Sequence, residues 1–213
     1  MTGPIGSAEL LYVFYIIAVV VEAMSAALAA GRKQMDWVGV CLLGFVTALG
    51  GGSVRDVLLG NYPLSWVRNP NLLLITVAAA FATILCARFM HRLRGLFLFL
   101  DAVGLVVFTV IGCNVALGLG LPFVVVVVAG LVTGCMGGVL RDILCSDIPL
   151  LFRAELYATV SVITALLYVL GLKAGIDHDM AMGGAMAIGL SLRLLALRLG
   201  WSMPKFIYTH DVH

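Results

Sequence analysis

Charge is scarce in this chain. Of its 213 residues only 11% are Asp, Glu, Lys or Arg, 62% are hydrophobic, and mean hydropathy is +1.13. A soluble domain carries about 25% charge. So few polar side chains cannot coat a water-facing globule, so the chain reads as an integral membrane protein. The net charge of +2 leaves no basic footprint for nucleic acid. Catalytic signatures are missing too: there is no GxSxG, no HExxH and no phosphate-binding glycine loop with Lys. Cys41, Cys86, Cys113, Cys135 and Cys145 lie mostly in apolar runs without CxxC or Cys/His spacing, and read as small buried hydrophobes. His91, His178, His210 and His213 fall in loops or the tail. Asp177-His178-Asp179 has metal-binding atoms but reads as a solvated loop. Neither an enzyme, a metal nor a cofactor is expected. The N-terminus lacks a basic region and the first apolar run is long enough to span, so no cleavable signal peptide is expected.

What the chain does have is long apolar runs. A bilayer core needs about 20 apolar residues per helix. Seven runs qualify, at 10–30, 37–59, 72–89, 96–117, 121–144, 156–172 and 180–199. The expected fold is all-α: one membrane domain over 1–213 with seven transmembrane helices. Arg32, Lys33, Arg88, Arg92, Arg94, Arg153, Arg198 and Lys205 fall on one side of such a bundle, and only Arg68 and Lys173 on the other. The basic excess marks the cytoplasmic face, which puts the N-terminus outside and the C-terminus inside.

The sequence also repeats itself. Shifted by 86 positions, Gly44, Val46, Thr47, Gly51, Gly52, Arg55, Asp56, Leu58, Pro63 and Leu64 land on Gly130, Val132, Thr133, Gly137, Gly138, Arg141, Asp142, Leu144, Pro149 and Leu150. Shared apolarity alone would not place Arg-Asp and Pro in register. Each copy holds three helices, 10–89 and 96–172, and an odd number makes the second enter the membrane from the opposite side. The architecture expected is a 3+3 inverted repeat with a seventh helix at 180–199.

Gly50, Gly51 and Gly52 stand together late in the second helix, and Gly137 and Gly138 at the repeat-related place in the fifth. A single glycine there reads as close helix packing. The clusters favour a broken or kinked helix, whose unwound backbone must be satisfied by protein or water. Thr47, Ser53 and Thr133 either bond their own helices or line a narrow wet path. Arg55-Asp56 and Arg141-Asp142 are either interfacial ion pairs or arginines reaching back over the break. Glu22, mid-helix, is the best single candidate for cation attraction or proton coupling. Asp101 reads as a helix-start residue near the cytoplasmic surface. In helix seven, Gly183, Gly184 and Gly189 suggest close packing, and Arg193 and Arg198 an anchor to anionic membrane lipids.

The stretches GFVTALGGGSVRDVLLGNYPLSWVRNP, AGLVTGCMGGVLRDILCSDIPLLFRAELYA and LDAVGLVVFTVIG resemble the bacterial glycine-transporter-domain family, the prokaryotic branch of the TRIC channels. The resemblance spans nearly the whole chain and implies a multi-pass protein of the bacterial inner (plasma) membrane. It implies a homotrimer with one pore per protomer between kinked second and fifth helices, permeable to K⁺, with Na⁺ as a further ion. The kink residues would be Gly50, Gly51, Gly52, Gly137 and Gly138, with Arg55, Asp56, Arg141 and Asp142 beside them. Met136 departs from the family, where a third glycine would be typical, and so does Glu22, where the first helix is usually apolar or small. The alternative function is a secondary transporter for glycine or a similar small zwitterion, with a half-helix N-terminus holding the carboxylate and Glu22 or Asp56 the ammonium.

Overall fold

The computed structural model describes residues 7–87, 93–153 and 156–202. Arg88, His91, Arg92, Lys205, His210 and His213 lie outside the described residues, as does the side chain of Arg94. The elements are α1 (Ser7–Arg32), α2 (Trp37–Leu59), the short α3 (Ser65–Arg68), α4 (Asn71–Ala87), α5 (Leu93–Gly118), α6 (Phe123–Leu144), a 3₁₀ turn (Leu150–Phe152), α7 (Tyr157–Lys173) and α8 (His178–Leu199). This is an all-helical membrane protein. By length and composition α1, α2, α5, α6 and α8 suffice to cross a membrane, while α4 and α7 are shorter apolar helices. The expected run boundaries lie within three residues of the described helix ends. Among the described residues only α3 and the 3₁₀ turn lack a counterpart, being too short to leave an apolar run.

Local chemistry sets the ends. Asp36 caps α2 by accepting from Gly39 N at 2.7 Å, and Asp177 caps α8 by accepting from Asp179 N at 3.0 Å. The Asp177-His178-Asp179 run is thus a helix start. His178 Nε2 also lies 3.0 Å from the Tyr168 hydroxyl and 3.3 Å from Asn114 Oδ1. Gly60 closes α2 in the left-handed conformation at φ 67°.

The 86-residue offset reappears in the elements. Arg32 and Gly118 end α1 and α5, Trp37 and Phe123 start α2 and α6, and Asn71 and Tyr157 start α4 and α7. α1, α2, α5 and α6 form the centre, with α1 on α5 and α2 on α6. α4 leans on α1 and α2, α7 on α5 and α6, and α8 covers α7 and α5. Outward faces are apolar, including Leu42, Leu74, Val124 and Ile188, as a lipid environment requires.

Candidate functional site: a glycine crossing between two buried arginines

α2 and α6 each run as continuous α-helix through their glycine clusters, which corrects the expectation of unwound backbone. The glycines keep their helical hydrogen bonds. Their missing side chains serve close approach instead. A Cβ on Gly51 would overlap the Thr133 carbonyl oxygen, and a Cβ on Gly137 would overlap that of Thr47. These contacts are reciprocal, since Thr133 and Gly137 are the repeat equivalents of Thr47 and Gly51. They also run in opposite chain directions, so the two helices cross antiparallel, backbone against backbone.

The outer glycine of each cluster has another task. A methyl on Gly52 would lie 3.7 Å from Arg55 Nη2, and one on Gly138 would lie 3.5 Å from Arg141 Nη2. Each arginine head therefore folds back over the glycine three residues earlier in its own helix. Gly50 faces the Leu140 side chain. The three hydroxyls singled out from the sequence donate to their own helices: Thr47 to Leu43 O at 2.7 Å, Ser53 to Leu49 O at 2.8 Å and Thr133 to Ala129 O at 2.6 Å.

Neither Arg-Asp pair is interfacial in exposure. Arg55, Asp56, Arg141 and Asp142 are all buried. Arg55 Nε donates to Asp56 Oδ1 at 3.0 Å and Arg141 Nε to Asp142 Oδ1 at 2.9 Å. The other carboxylate oxygen pins the chain that follows: Asp56 Oδ2 accepts from Ser65 N at 3.2 Å, Asp142 Oδ2 from Leu150 N at 2.9 Å. Each pair thus fixes its arginine and ties the post-helical loop to the helix end.

Around Arg141 the sequence reading needs two corrections. Asp101 is fully buried, not a surface helix-start residue, and accepts from Arg141 Nη1 at 2.6 Å. Arg193 is buried too, with its guanidinium 4.9 Å from the Tyr157 ring centre, and cannot anchor lipid heads. Ser25, unremarked in sequence, accepts from Arg141 Nη1 at 3.0 Å. Glu22 Oε2 lies 4.0 Å from the same nitrogen. Nothing in spacing links positions 22, 25, 101 and 141; only the packing of α1, α5 and α6 does. In α8, Gly189 does pack closely, against Thr164 and Val106, whereas Gly183 and Gly184 face open space.

Two cavities flank the crossing. One, of about 280 Å³, reaches Thr133, Gly52 and Arg55 and is walled by Tyr15, Trp66 and Phe108. The other, of about 420 Å³, reaches Asp142 and is bordered by Arg32, Lys33, Asp147 and Arg153. α6 thus meets the first cavity at Thr133 and the second at Asp142, with Gly137 between.

Fold and site together define an all-helical membrane protein whose two glycine-bearing central helices cross between buried Arg-Asp pairs. The chain belongs to the Glycine transporter family, whose profile matches residues 12–88 and 98–173. A UPF0126 membrane protein of Vibrio cholerae is 37% identical over 202 residues, 94% of this chain and 84% of that one. The UPF0126 inner membrane protein YadS of Escherichia coli K12 is 36% identical over 199 residues, 92% of this chain and 96% of that one. Among solved structures, the TRIC trimeric intracellular cation channel orthologue from Rhodobacter sphaeroides matches with a TM-score of 0.87 at 34% identity, over 90% of this chain and 98% of that one. The resemblance to the prokaryotic TRIC branch is met. These relatives are by name membrane proteins and a channel.

Proposed function

We propose that the chain is a channel for monovalent cations, K⁺ first among them and Na⁺ a further ion, with a pore inside each protomer between α2 and α6. The observation that carries this reading is the reciprocal glycine contact between two cavities, each reaching one member of a buried Arg-Asp pair. The Rhodobacter sphaeroides neighbour is by name a trimeric cation channel, which supports both cation permeation and a homotrimer here. At the crossing the helices touch, so conduction needs α2 and α6 to bend at Gly50–Gly52 and at Gly137 and Gly138. Pore-lining roles for Thr47, Ser53 and Thr133 follow, with Arg55, Asp56, Arg141, Asp142 and Glu22 setting the potential at the two ends.

The inverted repeat belongs to the same proposal. Antiparallel, reciprocal contacts between α2 and α6 are what such a repeat would produce. All seven long helices then span. α4 and α7, at 17 residues each, reach about 26 Å at ~1.5 Å per residue, near the ~30 Å of a hydrocarbon core. Arg32, Lys33 and Arg153 border one cavity, which supports placing that end in the cytoplasm. A glycine carrier finds less support. With α2 and α6 continuous, neither offers a half-helix N-terminus at its glycine cluster for a substrate carboxylate.

The test is a planar-bilayer recording of the purified protein under K⁺, Na⁺ and Cl⁻ gradients, with and without glycine. A reversal potential that follows K⁺ and ignores glycine is expected. Folded, trimeric protein that passes no cation current would overturn the proposal.

A further inference from the structure

The two ends of the crossing share a backbone frame and differ in chemistry. Phe97, Asp101, Glu22 and Ser25 surround the Arg141 head. Their equivalents at the 86-residue offset are Leu11, Tyr15, Phe108 and Ile111, all on the wall of the cavity that holds Arg55. One end is acidic and polar, the other aromatic and aliphatic.

At the acidic end three carboxylates gather round one buried arginine. Glu22 on α1, Asp101 on α5 and Asp142 on α6 face Arg141; Arg193 on α8 stands behind the Tyr157 ring, and Cys135 lies beside Tyr157. Among the described residues Arg141 alone pairs with these three carboxylates; Arg32 stacks on the same Phe97 ring as Arg141, with its guanidinium 4.4 Å from the ring centre. A net buried charge at membrane depth costs several kcal/mol unless it is compensated. Four sealed atoms here have no hydrogen-bond partner among the described residues: Glu22 Oε2, Asp101 Oδ2, Arg141 Nη2 and the Tyr157 hydroxyl. They converge. A methyl on Gly138 would lie 3.0 Å from the Tyr157 hydroxyl, 3.5 Å from Arg141 Nη2 and 3.7 Å from Asp101 Oδ1. Gly104 makes the room for Glu22, because a Cβ there would overlap its carboxylate.

We propose that Glu22, Asp101 and Tyr157 form a binding site for one unit of positive charge, a proton or a monovalent cation, entered from the cavity bordered by Phe97 and Asp142. A proton would sit on a carboxylate oxygen and donate to the neighbouring acceptor. A cation would draw on the same oxygens. Because Phe108 and Tyr15 hold the equivalent places beside Arg55, the site exists at one end only. Binding itself does not depend on the channel reading; only its effect on current does.

Infrared difference spectroscopy on the purified trimer tests it in two arms, a pH step at fixed K⁺ and an exchange of K⁺ for N-methylglucamine at fixed pH. Appearance of a carboxylic-acid carbonyl band in the first arm assigns the proton, and a shift of the carboxylate bands in the second assigns the cation. Either signal is expected to be lost in E22Q and shifted in Y157F, which removes one hydroxyl and keeps the ring. Spectra unchanged by both variants would overturn the site, as would wild-type spectra silent in both arms. Should E22Q not give a folded trimer, Y157F decides alone. A carboxyl signal without bilayer current would leave the site standing and remove the channel.

Discussion

Gly60 and Ser146 occupy the same turn in the two halves, and both are left-handed, at φ 67° and 54°. Gln34 and Gly120 form the second such pair, at φ 55° and 68°. A non-glycine residue there costs about 1–2 kcal/mol, offset in part by the ~0.5–1 kcal/mol of chain entropy that glycine loses on folding. S146G is therefore expected to stabilise the protein by about 0.5–1 kcal/mol, read as a higher melting temperature in detergent; an unchanged or lower one would refute the strain. Asp147, in the loop after α6, shows a second residue-scale effect. The ammonium of Lys33, 2.8 Å away, holds its carboxyl below the usual carboxylate range. A carboxylate so lowered adds stability above its unfolded value and loses it as pH falls through the folded one. Acid melting curves of wild type and D147N should therefore converge only below the ordinary carboxylate range. Their separation at neutral pH should be small and fade with salt, because both partners are partly exposed.

At the scale of elements, the α2–α6 crossing behaves as one unit with two contacts. G51A and G137A each put a methyl against a partner carbonyl that cannot rotate away, and each should cost about 1–3 kcal/mol. The double variant should cost less than the sum, since the first methyl already parts the helices at the second. Strict additivity in denaturation would show the contacts to be independent. The same crossing shows what sequence could and could not tell. Run length and composition found the apolar helices, five of which are long enough to cross a membrane among the described residues, because lipid demands uninterrupted apolar segments. The offset found the paired clusters, because Arg-Asp and Pro do not recur by apolarity. Whether glycines break a helix or let another one in was not legible, as both uses consist of a missing Cβ. Asp101 and Arg193 sat near the ends of apolar runs, which looked like membrane surface. Their burial depends on Arg141 and Tyr157, residues far along the chain that only packing brings to them. Glu22 stood out alone, as a carboxylate amid apolar residues, but the rest of its site had no local signature.

For the whole molecule, orientation is the property most open to a direct check. Lys33 and Asp147 join the α1–α2 loop to the loop after α6, so both lie at one end, with Arg68 at the other. In a cysteine-free background, R68C is expected to react with a membrane-impermeant maleimide in intact cells, and R153C only in inverted vesicles. The opposite labelling pattern would reverse the proposed topology.

The unlike chemistry of the two ends of the crossing has an electrical corollary for the proposed pore. With identical salt on both sides, an ion crossing such a passage meets a well near one entrance and a greasy sill near the other. Its current–voltage curve should bend rather than run straight, so that two halves alike in backbone would together act as a diode.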